Sequence, residues 1–92
     1  MRVEARHILV TSKQICQELK KDIENGTDFA EAARDFSECT SGNDGGNLGE
    51  FGRGEMVKAF DKVVFKEELN KVIGPVKTEF GYHLIEVLSR TN

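Results

Sequence analysis

This 92-residue chain predicts an α+β fold, a mixed or antiparallel sheet covered by helices. Three observations carry that prediction. Both ends of the chain read as strands with apolar groups on each face, the pattern of central strands covered twice. The stretch between them places apolar residues at helical spacing. The patterns follow one another as strand, helix, helix, strand, helix, strand, strand.

The first strand covers residues 2–10, with Val3, Ala5, His7 and Leu9 on one face and Ile8 and Val10 on the other. Thr11-Ser12-Lys13-Gln14 then supplies a capping-box pattern, Thr11 as cap and Gln14 three residues on. A helix follows to about Asn25, its stripe made of Ile15, Cys16, Leu19 and Ile23, and Gly26 closes it. Thr27-Asp28 opens a second helix, with Glu31 reaching back. Its predicted buried face is Phe29, Ala32, Ala33 and Phe36.

From Ser41 to Gly54 the chain carries Gly42, Gly45, Gly46, Gly49, Gly52 and Gly54. A phosphate cradle is excluded, because the segment has neither GxxxxGK[ST] nor GxGxxG. The segment reads instead as a turn, a short strand over Asn47–Phe51 and a second turn. Met56–Phe65 predicts a third helix with Met56, Val57, Phe60 and Val64 on one face. Beyond a charged connector, Gly74–Thr78 begins a short strand that Pro75 confines to an edge or a strand start. Glu79-Phe80-Gly81 turns into the last strand, which runs to about Ser89. It carries Gly81, His83, Ile85 and Val87 on one face and Tyr82, Leu84 and Leu88 on the other.

The length suits one domain over residues 1–92 and a monomer. A formal charge of −3 argues against nucleic acid as a partner. No apolar stretch approaches the ~20 residues of a membrane span, so no membrane partner is expected. Met1-Arg2-Val3-Glu4 holds no apolar secretory segment, which favours the cytoplasm. Cys16 falls on a helix stripe and reads as packing, while Cys39 opens the glycine-rich loop and, taken alone, reads as a small buried filler. His7, His83 and Cys39 could in principle hold zinc, but three ligands at no recognised local spacing make a poor site. No metal or cofactor is expected.

His7 and His83 are the two histidines, one in each terminal strand. A buried imidazole must find a hydrogen-bond partner. If those strands pair at the centre of one sheet, the rings can satisfy each other.

The succession His7-Ile8-Leu9-Val10, Gly46-Asn47-Leu48-Gly49, Met56-Val57-Lys58-Ala59-Phe60 and Gly74-Pro75-Val76-Lys77-Thr78-Glu79-Phe80-Gly81-Tyr82-His83 resembles the parvulin family of peptidyl-prolyl cis/trans isomerases. The similarity runs along essentially the whole chain, and is greatest to the single-domain members. It implies a four-stranded antiparallel sheet wrapped by helices. It also implies a rotamase that accelerates rotation about X–Pro bonds in proline-containing, unfolded or nascent polypeptides and so assists folding. By the same resemblance His7 and His83 match the paired histidines of the family. Cys39 takes its Cys-or-Asp position, with the Ser41 hydroxyl nearby, and Thr78 is the polar residue beside the second histidine. Leu48, Met56 and Phe60 match its proline pocket. Val57 belongs with the substrate-binding residues, and Phe80 fits the aromatic common in single-domain members.

The phosphoserine- and phosphothreonine-directed parvulins carry a long basic loop after the first strand. Here that junction is Thr11-Ser12-Lys13, so no phosphate requirement is expected. The family's tolerance of Asp at the Cys39 position implies a polar rather than nucleophilic role there. The alternative is a groove of the same shape that holds unfolded chains as a chaperone without catalysing isomerisation.

Overall fold

The computed structural model describes residues 2–91. Its elements are β1 (Arg2–Val10), α1 (Lys13–Glu24), α2 (Phe29–Phe36), a 3-10 helix (Thr40–Asp44), β2 (Asn47–Gly52), α3 (Lys58–Val64), β3 (Val72–Thr78) and β4 (Gly81–Thr91). The four strands form one antiparallel sheet in the order β2-β1-β4-β3. The two strands with apolar groups on both faces are therefore the central pair. Pro75, which cannot donate to a ladder, lies on edge strand β3.

Alternation along β1 and β4 divides the core in two. Val3, Ala5, Ile85 and Val87 pack with Phe51 and with Phe60, Val64 and Phe65 of the α3 region. Ile8, Val10 and Leu84 pack on the opposite face with Cys16 and Leu19 of α1 and Phe29, Ala32 and Ala33 of α2. Arg6 ties the central strands together: its guanidinium meets the Glu86 carboxylate at 2.6 Å and lies 4.7 Å from the Phe29 ring centre. Arg90 anchors the end of α3 to β4 by donating to the Val64 carbonyl at 2.9 Å.

Several local expectations are corrected. Ser12, not Thr11, caps α1 and accepts from the Ile15 N–H at 3.2 Å. The Thr11 N–H is held by the Glu38 carboxylate, which keeps Thr11 outside the helix. Asp28 caps α2 as its pattern predicted, accepting from the Glu31 N–H at 3.1 Å. Phe36 is 53% exposed, because α2 ends at this residue and neither hydrophobic cluster reaches it. Ile15 is likewise exposed, lying one residue off the Cys16–Leu19–Ile23 stripe. Met56 and Val57 precede α3 rather than opening it, since Val57 is extended (φ −59°, ψ 151°) and the helix begins at Lys58. The turn before β2 contains the 3-10 helix, and β3 and β4 each run longer than predicted.

Candidate active site

Strand register brings the two histidines together. His7 lies opposite Ile85 and Leu9 opposite His83, so His7 and His83 are diagonal neighbours on one face of the central pair. A diagonal is too wide for short side chains but within reach of rings. The His7 and His83 Nδ1 atoms stand 3.0 Å apart, and both rings are about 5% exposed or less.

The outer nitrogens are engaged as well. His7 Nε2 is 3.1 Å from Ser41 Oγ, and His83 Nε2 is 2.7 Å from Thr78 Oγ1. The result is a four-membered chain, Ser41–His7–His83–Thr78. With both rings neutral, each imidazole donates one hydrogen bond and accepts one, so all protons can point in a single direction along it. Burial pushes His7 down to about 4, with the neighbouring His83 adding to the effect, and burial lowers His83 too. Both rings are therefore neutral at pH 7.

Local backbone geometry supports this chain. Ser41 is held in the 3-10 helix, which Cys39 precedes. The Gly46 carbonyl accepts from the His7 N–H at 2.9 Å, and the Gly46 N–H donates to the Ser41 carbonyl at 2.8 Å. Gly46 itself has φ +84°, and a Cβ there would collide with the His7 carbonyl. On the other side, Thr78 ends β3 and its hydroxyl oxygen also accepts from the Phe80 N–H at 3.2 Å.

In front of the histidines lies an open groove of about 290 Å³, lined by His7, Leu9, Cys39, Leu48, Met56, Val57, Phe60, Phe80 and His83. Phe60 sets its edge against both imidazoles, with ring centres 5.7 and 5.8 Å away at interplanar angles of 77° and 89°. Phe60 is buried, whereas Phe80 and Val57 stand at the rim, 59% and 36% exposed. Cys39 is half-buried rather than a core filler.

Eight of the ten residues singled out from the sequence thus line one groove, while Ser41 and Thr78 stand behind the histidines and hold them. Sequence reasoning missed Leu9, although it shares the face of His7 two residues on, and that alternation was the available signal. It also missed Ser37, whose hydroxyl accepts from the Leu9 N–H at 3.1 Å and the Cys39 N–H at 3.4 Å. Ser37 thereby links two lining residues.

This arrangement limits the chemistry. All four imidazole nitrogens are already paired, so neither ring offers a free lone pair to activate the Cys39 thiol or to bind a metal. What remains is an apolar, shaped recess with one thiol on its wall.

Residues 6–89 match the PPIC-type PPIase domain of the rotamase family. The chain is 39% identical over 90 residues to the foldase protein PrsA of Geobacillus kaustophilus, covering 97% of itself and 32% of that protein. It spans about a third of the length of the PrsA relatives it matches. Its structure superposes on the crystal structure of PrsA from Bacillus anthracis with a TM-score of 0.96, at 32% identity over 99% of this chain and 42% of that one. The parvulin NmPin of Nitrosopumilus maritimus has a similar extent, with a TM-score of 0.86 at 34% identity over 96% of both chains. A family match across nearly the whole sequence agrees with a relative of the same extent and fold: the chain belongs to the PPIC-type peptidyl-prolyl cis/trans isomerases, the rotamases.

Proposed function

We propose that the groove binds an X–Pro segment of a polypeptide and speeds rotation about its amide bond by a non-covalent route. The observation that carries this reading is the combination of a recess lined mainly by carbon with imidazoles whose every nitrogen is engaged. Amide resonance sets a barrier of ~20 kcal/mol, and uncatalysed isomerisation takes tens of seconds or more. Leu48, Met56 and Phe60 hold the pyrrolidine ring and fix one side of the bond. The carbonyl side then rotates past Cys39, out of bulk water. The twisted state has lost its resonance and carries less charge on oxygen, so a dry wall disfavours it less than the planar ground state. His7 and His83 keep that wall rigid, with Ser41 and Thr78 as positioning residues.

The substrates proposed are proline-containing stretches of unfolded or nascent chains, whose folding the domain assists. Phosphate is not required, because only Thr11 and Ser12 separate β1 from α1. A monomer in the cytoplasm belongs to the same reading. Two unpaired thiols, Cys16 and Cys39, support a reducing compartment.

Exchange spectroscopy on short X–Pro peptides, with and without phosphoserine before the proline, tests the proposal. Accelerated cis/trans exchange on the unphosphorylated peptides is the expected result. Binding with unchanged exchange would favour a chaperone module, and acceleration confined to phosphorylated peptides would overturn the reading of the short junction.

A further inference from the structure

Beside the groove lies a second concavity, about 510 Å³, lined by Arg53, Lys58, Asp61, Lys62, Phe65 and Lys66. Four cations thus converge on one recess of a chain whose formal charge is −3. Among the described residues none of the four forms an ion pair. The one carboxylate in the recess, Asp61, accepts from the Gly54 N–H at 3.3 Å, and nearby Glu55 is paired with Arg2. Arg53 is held in place, its guanidinium 4.8 Å from the centre of the buried Phe65 ring.

The two concavities draw their linings from adjacent residues at the start of α3. Val57 and Phe60 line the proline groove, while their chain neighbours Lys58 and Asp61 line the cationic recess. Crossing a helix ~10 Å wide takes an extended peptide about three or four residues. We propose that this recess is a specificity subsite for carboxylate side chains of the same substrate chain, about three or four positions from the proline. The proposal rests on the isomerase reading and deepens it. Charge complementarity and continuity with the groove favour an acidic peptide. A lipid surface or nucleic acid spreads its charge beyond the recess and meets the chain's net negative charge over a wide face, whereas one or two carboxylates of a peptide meet the recess alone.

The test compares X–Pro peptides carrying two glutamates on one side or the other of the proline with their glutamine counterparts. With two cations engaged, one glutamate peptide should show a KM about tenfold below its glutamine twin at low salt. That advantage should vanish near ~0.5 M salt and in the R53Q/K58Q double variant, while turnover of the glutamine peptides is unchanged. Equal KM values for the two kinds of peptide, or a preference that survives in the double variant, would overturn the proposal. So would capture by phosphatidylglycerol vesicles that needs Arg53 and Lys58 while glutamate peptides bind no better than glutamine ones. If no peptide shows accelerated exchange, the isomerase reading fails. Amide shifts of Arg53 and Lys58 on titration with the glutamate peptides then still decide the subsite.

Discussion

Acidification probes the neutral histidine pair directly. His7 is 5% exposed, and burial with the adjacent His83 lowers its pKa from 6.5 to about 4. At pH 7 folded His7 is neutral and the unfolded imidazole mostly so, and the site adds only a shallow pH slope there. As pH falls through 6.5 the unfolded chain takes up a proton that folded His7 refuses. Each such site then loses up to ~1.4 kcal/mol of stability per pH unit. The loss levels off below pH 4, where folded His7 also protonates. Between pH 7 and pH 5 the loss from His7 alone comes to about 2 kcal/mol, and His83, shifted in the same direction, adds to it. Urea titrations followed by circular dichroism at pH 7, 6 and 5 should show the midpoint falling by about 1 M or more. The His7→Gln variant should lose part of that slope. Stability at pH 5 within about 0.5 kcal/mol of its pH 7 value, or an undiminished slope in His7→Gln, would refute the reasoning.

Phe60→Ala removes the ring that contacts both imidazoles and floors the groove. It should cost about 2–4 kcal/mol in urea unfolding, below the full core value because one side already faces the groove, and lower kcat/KM by at least about tenfold in a peptide isomerisation assay. Cys39→Asp should keep substantial activity in the same assay, since the thiol has no base to make it a nucleophile; an inactive variant, with a covalent Cys39–substrate adduct detected in the wild type, would refute a non-covalent route. Gly46→Ala forces a Cβ toward the His7 carbonyl at positive φ, and thermal melting should show a loss of more than about 2 kcal/mol.

Much of this was legible in the residues because the relevant signals are local and repetitive. Apolar groups on both faces of residues 2–10 and 81–89 marked the central strands, and Asp28 with Glu31 marked a helix start. The errors fall where a distant partner decides. Thr11 and Ser12 are both cap residues by type, Ser the better, and Ser12 caps the helix while a carboxylate 27 residues away takes the Thr11 N–H. Phe36 keeps perfect helical spacing, yet the core ends before reaching it. Met56 and Val57 continue the apolar spacing of α3 from an extended segment, because both line the groove, Met56 while also packing against the core edge and Val57 at the rim. Leu9 and Ser37 escaped because a leucine in a strand and a serine after a helix look alike whether or not a site lies nearby.

The histidine pair shows why such a site tolerates so little and so much at once. Imidazole is versatile chemically, and its usual value is a free nitrogen titrating near neutrality. Here register removes that freedom: each ring is the other's partner, and hydroxyls from the 3-10 helix and from β3 close the chain at both ends. A reaction that breaks no covalent bond gains nothing from a proton shuttle, but it does gain from a wall that stays put while an amide turns. A fully satisfied buried polar chain supplies that stiffness, because any displacement leaves a donor or acceptor unpaired at a cost of roughly 1–3 kcal/mol. The groove wall facing it need only be apolar and the right size, so the demands on Leu48 or Met56 are those of shape, whereas the demands on His7 and His83 are those of mutual geometry.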